Sequence, residues 1–244
     1  MRHSAAPPEP LLHLWGRPRL VADGHTLSFG AERRFQLLLL LALQGGDGVE
    51  RDRAAALLWP QRPLADARRN LRKVLHDAHG LLPAGALQVT EHALAWPVQT
   101  DWALAERAWR AGRIDEALSL LPALPPGQVL AGLADASNPA YDEWLSAQRQ
   151  RLSSAWQGLM QAALAAAGTE AQLRLRLARR ALDEDPIYEP AVAVLVEHDQ
   201  AQGHATQARR RYDDYAAALQ AALGVEPSRA LRERLRDLAV PAPL

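Results

Sequence analysis

The sequence predicts a mainly α-helical fold with a small β component near the N-terminus, arranged as two consecutive domains. Before residue 98, short alternating segments are bounded by glycine, proline and an Asp-Gly pair, a pattern typical of strands and tight turns. After it, Ala, Leu, Arg and Glu predominate with helical periodicity and almost no strand signal. We therefore expect a loose proline-rich tail at residues 1–10, one domain at residues 11–97 and an all-helical domain at residues 98–240.

The composition is that of an ordinary globular protein, with 244 residues of which 48% are hydrophobic and 23% charged. The lack of cysteine excludes disulfides and thiolate metal sites. The 28 basic and 28 acidic residues cancel overall, but residues 11–97 carry 11 basic and 8 acidic side chains (+3), and residues 98–240 carry 16 and 19 (−3). The N-terminus has no signal-peptide core, and the longest apolar run, residues 37–43, is too short for a bilayer. We expect a cytoplasmic protein without a membrane partner.

The order of elements in the first domain predicts a winged helix-turn-helix. Strand patterns occur at residues 11–15, 19–21 and 25–29, helical patterns at 31–44, 51–59 and 64–82, a short bridging strand at 49–50, and a hairpin at 86–90 and 93–96. Proline at position 60 ends the second helix. In a winged helix-turn-helix, the third helix enters the DNA major groove and the hairpin is the wing.

The second domain predicts a tetratricopeptide-like array of helix pairs. Helices are expected near residues 101–111, 114–121, 140–167, 170–183, 188–202, 205–222 and 228–238, with a Pro- and Gly-rich loop at 122–139. Gly168 and Gly203 each open a similar turn before an amphipathic helix, at a spacing of 35 residues. That spacing is typical of helical repeats that stack into a solenoid.

The third helix of the first domain is strongly amphipathic. One face carries the apolar residues Ala67, Leu71, Val74, Leu75 and Ala78. The opposite face carries Arg69, Lys73 and His76, with Arg72 at its border and Arg68 nearer the apolar face. The planar guanidinium of arginine can donate two hydrogen bonds to a guanine edge or a phosphate, and the ammonium of lysine can bind a phosphate. This face is therefore a candidate for binding DNA. The alternative is an ordinary solvated face.

Further arginines lie where they would reach DNA phosphates in a winged helix. These candidates are Arg33 and Arg34 at the start of the first helix, and Arg51, Arg53 and Arg62 around the second. Phosphate contacts of this kind set affinity and register on the duplex and leave sequence preference to the recognition helix.

Several stretches resemble SARP-type bacterial transcriptional activators, which join an OmpR-type winged helix to a bacterial transcriptional activator domain. The resemblance lies in the Leu-rich first helix, in LLWP at residues 57–60, in ARRNLR at 67–72, in EWLSAQRQRL at 143–152 and, most specifically, in LGVEPS at 223–228. It implies that residues 65–80 are the recognition helix, with Arg68, Arg69, Arg72 and Lys73 as DNA contacts. It also implies binding to promoter direct repeats and recruitment of RNA polymerase, with the helical domain mediating self-association or contacts with other proteins.

Two features depart from the family pattern. The third helix continues with His76-Asp77-Ala78-His79 instead of further arginines, and the hairpin has Glu91 at its turn instead of a basic tip. Each missing phosphate contact weakens DNA binding and its salt dependence. Two functions therefore stay open: a DNA-binding regulator, or an adaptor whose winged helix has lost DNA binding and whose repeats hold a protein partner.

No sequence motif indicates an enzyme. No nucleophile–base arrangement stands out, and the GGDG at residues 45–48 lacks the lysine of a phosphate-binding loop. His76 and His79 are three residues apart, but a third metal ligand is not apparent. We therefore expect no catalytic residue, no metal and no cofactor.

Overall fold

The structure is a computed structural model that describes residues 9–44, 48–124, 128–166 and 170–236. These residues are mainly helical with two small sheets, so the predicted fold class is confirmed. They fall into two compact units, one within Met1–Pro122 and Gly127–Leu152, the other within Ala123–Pro126 and Ser153–Leu244. The first unit thus extends past residue 97, where we expected the first domain to end. Most of the predicted tail and Gly168 lie outside the described residues.

The first unit contains two small sheets. Strands β1 (Leu11–His13), β2 (Arg19–Ala22), β3 (His25–Ser28) and β7 (Gln99–Thr100) form a sheet in the order β3-β2-β1-β7, while β4 (Val49–Glu50), β5 (Gln88–Val89) and β6 (Ala93–Ala95) form a sheet in the order β4-β6-β5. All pairs are antiparallel except β1 with β7. Asp23 and Gly24 both have positive φ, 50° and 76°, as a two-residue hairpin turn requires.

The helices of the first unit pack against strands of both sheets. They are α1 (Arg33–Gln44), α2 (Arg51–Leu58), α3 (Leu64–His79), α4 (Asp101–Arg110), α5 (Ile114–Leu120) and the first part of α6 (Pro139–Ala165). Helix α1 is the centre of the core, because every residue from 35 to 42 is buried between α2, α3 and β6. Three strands, three helices and the β5–β6 hairpin follow each other as predicted, which confirms the winged helix-turn-helix.

Two buried polar side chains join the winged helix to the residues that follow it. Asp101, which is 1% exposed, accepts hydrogen bonds from the backbone N–H groups of Leu14 (2.9 Å) and Trp15 (3.1 Å), just after β1. Asn138, also 1% exposed, donates its amide to the carbonyls of Leu57 (3.0 Å) and Leu58 (3.3 Å). Because buried backbone groups require partners, these bonds fix the end of β1 and the end of α2.

The second unit is a succession of helices. It contains the end of α6 and then α7 (Ala171–Glu184), α8 (Glu189–Ala201), α9 (Ala205–Leu223) and α10 (Arg229–Arg236). Each of α7, α8 and α9 packs against the helix that follows it, and side chains of α8, α9 and α10 share a buried apolar cluster. Gly203 and Gly224 have positive φ, 75° and 69°, where α8 is followed by its turn and where α9 ends. This is the predicted helical-repeat architecture.

Candidate nucleic-acid interface

Helix α3 is held in the first unit by the apolar face that the sequence predicts. Ala67, Leu71 and Ala78 are at most 1% exposed and Leu75 is 6% exposed, and the helix packs against α1 and α2. Asp66 lies in its first turn and two histidines in its last turn, which suits the helix dipole. The buried face fixes the rotation of α3 and therefore decides which side chains face solvent.

The five side chains predicted to contact DNA all lie on the exposed surface of α3. They are Arg68, Arg69, Arg72, Lys73 and His76. By the rotation of the helix, Arg69, Lys73 and His76 lie opposite the buried face, and Arg68 and Arg72 lie together on one side of it. The solvent-exposed surface of α3 is thus mainly cationic, with Asp66 and Asp77 along its other edge.

Arg72 and Lys73 are available for a ligand. Among residues 9–44, 48–124, 128–166 and 170–236, no carboxylate lies within ion-pair distance of either side chain. Arg69 is 73% exposed and lies 3.4 Å from Asp66, one helical turn earlier. Exposed pairs of this kind are weak, so an anionic ligand can compete for Arg69.

Arg68 makes a closer contact. Its Nε donates to Oδ1 of Asp52 at 2.6 Å, and its Nη2 donates to Oδ2 of the same carboxylate. The two side chains connect α3 to the first turn of α2, and both are about half exposed (51% and 46%). The hydrogen bond from Arg68 lowers the pKa of Asp52, and the same bond raises the pKa of Arg68. Sequence reasoning placed Arg68 at the interface but did not identify this partner.

The wing stands beside α3. In the β5–β6 hairpin, Val89 faces Leu94, and the Thr90 hydroxyl accepts a hydrogen bond from the Ala93 N–H at 2.9 Å. Its tip carries Glu91 and His92, which are 89% and 87% exposed. The hairpin is therefore the predicted one, and its tip has the acid that departs from the family pattern.

Arg51 ties the wing to the start of α2. Its Nη1 donates to the carbonyl of Thr90 at 3.1 Å, and its backbone N–H donates to the carbonyl of His92 at 2.9 Å. A surface cleft lies between the wing, α2 and α3, lined among others by Asp52, Arg68, Arg72, Glu91 and His92. This cleft is a mixture of cationic and anionic side chains.

Arg33 is engaged inside the first unit. Its Nη1 pairs with Asp135 and donates to Oε1 of Gln36 at 2.6 Å, and Gln36 also donates to Asp135 at 3.0 Å. Burial opposes the ionisation of Asp135, but hydrogen bonds from Ser137, Gln36 and Arg33 outweigh it and hold its pKa far below the usual range. Since Arg33 is 26% exposed and already bound to a carboxylate, its position does not favour the predicted phosphate contact. Asp135 is 102 residues away in sequence, so no local pattern indicated it.

The other predicted phosphate contacts differ in their surroundings. Arg34 lies over the ring of Phe35, with its guanidinium carbon 5.0 Å from the ring centroid, and 3.7 Å from Glu32. The side chains of Arg53 and Arg62 are exposed, and neither has a carboxylate within ion-pair distance in the described part of the chain. Arg53 and Arg62 are therefore better placed for phosphates than Arg33.

A match to a known protein family identifies the family of this chain. Residues 95–238, more than half of the chain, match the family described as "Bacterial transcriptional activator domain". The chain belongs to this family. The bacterial transcriptional activator domain thus covers α4 to α10, and it follows a winged helix-turn-helix as it does in SARP-type regulators. The resemblance found in the sequence is confirmed by this match.

A solved structure shares the fold. It is described as "Mycobacterium tuberculosis EmbR in complex with low affinity phosphopeptide", with 19% sequence identity and a TM-score of 0.63. The match covers 97% of this chain and 66% of that one, so this chain spans just under two thirds of that chain's length. At this identity the likeness establishes the fold. No curated protein matches the chain. None of the described helices is both long enough and apolar enough to cross a membrane.

Proposed function

We propose that this bacterial transcriptional activator domain protein binds double-stranded DNA sequence-specifically, with α3 in the major groove. The observation that carries the proposal is the exposed cationic surface of α3, on which Arg72 and Lys73 have no carboxylate partner among the described residues. The buried face of α3 holds these side chains outward on a rigid frame. A positive surface that is presented by the third helix of a winged helix fits the major groove.

The contacts divide into two kinds. Arg69 and Arg72 carry forks that match guanine edges and phosphates, whereas the Lys73 ammonium suits a phosphate. His76 lies one turn further along the same exposed surface. Arg53 and Arg62 would hold the flanking backbone, and they set affinity without sequence preference.

Activation, binding to promoter direct repeats and recruitment of RNA polymerase are part of the proposal. Membership in the family supports them, and the helical array offers the surfaces for self-association or for contact with the polymerase. Direct repeats require two protomers in the same orientation, since each recognition helix reads one half-site. We accordingly infer that self-association accompanies DNA binding.

Binding of duplex DNA at several salt concentrations tests the proposal. The probes are the region upstream of the protein's own gene and a scrambled duplex of the same length, and the variants are Arg72→Ala and Lys73→Ala. The wild-type protein should prefer the upstream region and lose affinity as salt rises, with the slope of log K against log salt about one unit shallower for Lys73→Ala. Arg210→Ala is the matched control, because Arg210 is an exposed arginine (84%) on α9. Arg210→Ala should change neither the preference for the upstream region nor the salt slope.

The adaptor function is the second candidate. The observation that favours it is the acid content of the cleft between wing and α3, where Glu50, Asp52 and Glu91 would face the DNA backbone. In that case the helical array holds a protein partner and the winged helix serves as a scaffold. Equal binding of the upstream and scrambled duplexes at low salt would establish the adaptor instead of the DNA-binding regulator.

A further inference from the structure

Asp52 holds Arg68 in a defined orientation at the edge of the proposed recognition surface. The carboxylate accepts hydrogen bonds from the Nε–H of Arg68, at 2.6 Å, and from one N–H of its Nη2. The guanidinium is therefore bound along one edge. Asp52 lies in the first turn of α2, and Arg68 lies in the second turn of α3, on the same side as Arg72. Both residues line the cleft between the helices and the wing.

The guanidinium keeps a second pair of N–H donors that can bind a ligand. Arginine has five N–H donors, and Asp52 takes two of them. Three remain, two on Nη1 and one on Nη2, and the adjoining Nη1–Nη2 edge can donate two parallel hydrogen bonds. That edge is the one that matches O6 and N7 of guanine in the major groove.

The charge of Asp52 decides whether this free edge of Arg68 binds a guanine or a phosphate. The Asp52 carboxylate lies against Arg68 and offsets its positive charge, which weakens the attraction of Arg68 for an anionic phosphate. Hydrogen bonds to the neutral acceptors of guanine depend mainly on geometry, and Asp52 supplies that geometry in advance. Fixing the side chain before binding also removes the entropy cost of ordering it on DNA.

We propose that Asp52 is a positioning residue that makes Arg68 a guanine-reading side chain and keeps it from acting as a general phosphate contact. The proposal rests on the DNA-binding function proposed above and deepens it by assigning one specificity-determining pair. Arg69, Arg72 and Lys73 would supply the remaining contacts of α3 with bases and phosphates. Asp52 itself touches no base.

A binding panel tests the pair. Duplexes enriched from a randomised pool by the wild-type protein are resynthesised with each guanine replaced in turn, and affinities are measured for the wild type, Arg68→Ala, Asp52→Asn and Asp52→Ala. Arg68→Ala should lose the preference at one guanine position by roughly 5- to 150-fold, the range of one two-point contact. Both Asp52 variants should lose much of the same preference.

The same Asp52 variants should bind unrelated duplex DNA as tightly as the wild type or more tightly. Their salt slope should be steeper by about one unit, because Arg68 becomes an ordinary phosphate contact. A purely structural role would weaken specific and unrelated binding by the same factor, so the opposite signs separate the two roles. Asp66→Asn is the matched control. Asp66 also lies near an arginine of α3, Arg69, but at 3.4 Å and without a two-point contact, so its loss should leave the guanine preference intact.

Each outcome supports or overturns the proposal. Uniform weakening by Asp52→Asn, or an unchanged guanine preference in that variant, overturns it, and so does an Arg68→Ala variant that keeps full preference. Asp52→Asn keeps the shape of the side chain, so it serves if Asp52→Ala fails to fold. If the wild-type protein enriches no sequence at all, the DNA-binding function itself fails. If it enriches a sequence and Lys73→Ala behaves as proposed while Asp52→Asn has no effect, only the role of Asp52 fails.

Discussion

Replacing Asn138 by alanine is expected to destabilise the winged helix, although residue 138 lies far from it in sequence. The Asn138 amide donates to two carbonyls at the end of α2, and its Oδ1 accepts from the N–H of Tyr141 at 3.3 Å as the N-cap of α6. Losing an N-cap costs about 1 kcal/mol. Leaving a buried carbonyl unpaired costs about 1–3 kcal/mol. Together these give about 2–4 kcal/mol for the first unit.

Asn138→Ser separates the two contributions. A serine hydroxyl caps a helix about as well as asparagine does, but it does not replace the amide that reaches the end of α2. The serine variant should therefore recover about 1 kcal/mol of the loss in the alanine variant and no more.

Hydrogen exchange followed by mass spectrometry locates the effect. Protection of peptides from α2 and α3 should fall by roughly thirty- to a thousandfold in Asn138→Ala, since 1.4 kcal/mol corresponds to a factor of ten. Peptides from α8, in the second unit, serve as the internal control. A loss of protection smaller than about threefold in α2, or a serine variant as protected as the wild type, would refute the reasoning.

Three further variants probe other contacts. Asp135→Asn should remove part of the acid sensitivity of the first unit. The pKa of Asp135 is lowered in the folded state, so its ionised carboxylate contributes fully to stability above its unfolded pKa, and this contribution is lost as pH falls below that value. Urea midpoints measured between pH 7 and pH 2.5 will report the difference between the variant and the wild type. Tyr215→Phe removes a 2.9 Å hydrogen bond to Glu189 and should cost the second unit about 1 kcal/mol in urea unfolding. Trp156→Ala empties a site that is 1% exposed and should cost about 3–5 kcal/mol by the same measurement.

The positions of most helices could be predicted because their signals are local. Helices α4 to α9 begin and end within two residues of the predicted positions, since apolar periodicity and glycine or proline breaks mark both ends. Strand β7 was not predicted, because Gln99 and Thr100 form two residues of strand with no alternation to recognise. Its pairing with β1 depends on a parallel neighbour 88 residues away, between Leu11 and Gln99.

The candidate site was only partly predictable for the same reason. The amphipathic pattern of α3 identified its exposed side chains, and all five lie at the surface. Which of them carry a carboxylate partner depends on tertiary packing. Arg68 meets Asp52 from α2, and Arg33 meets Asp135, 102 residues away, whereas Arg72 and Lys73 have no carboxylate within ion-pair distance in the described part of the chain. Residue type and spacing alone do not contain this difference.

Enrichment from a randomised duplex pool most directly tests whether α3 reads DNA. The wild-type protein and the double variant Arg72→Ala/Lys73→Ala would be carried through the same rounds at low and at physiological salt. We predict that the wild type enriches one motif and that the double variant enriches none, while both keep the same helical content. Enrichment of the same motif by both proteins, or of no motif by the wild type at low salt, would contradict the assignment of α3 as the recognition helix.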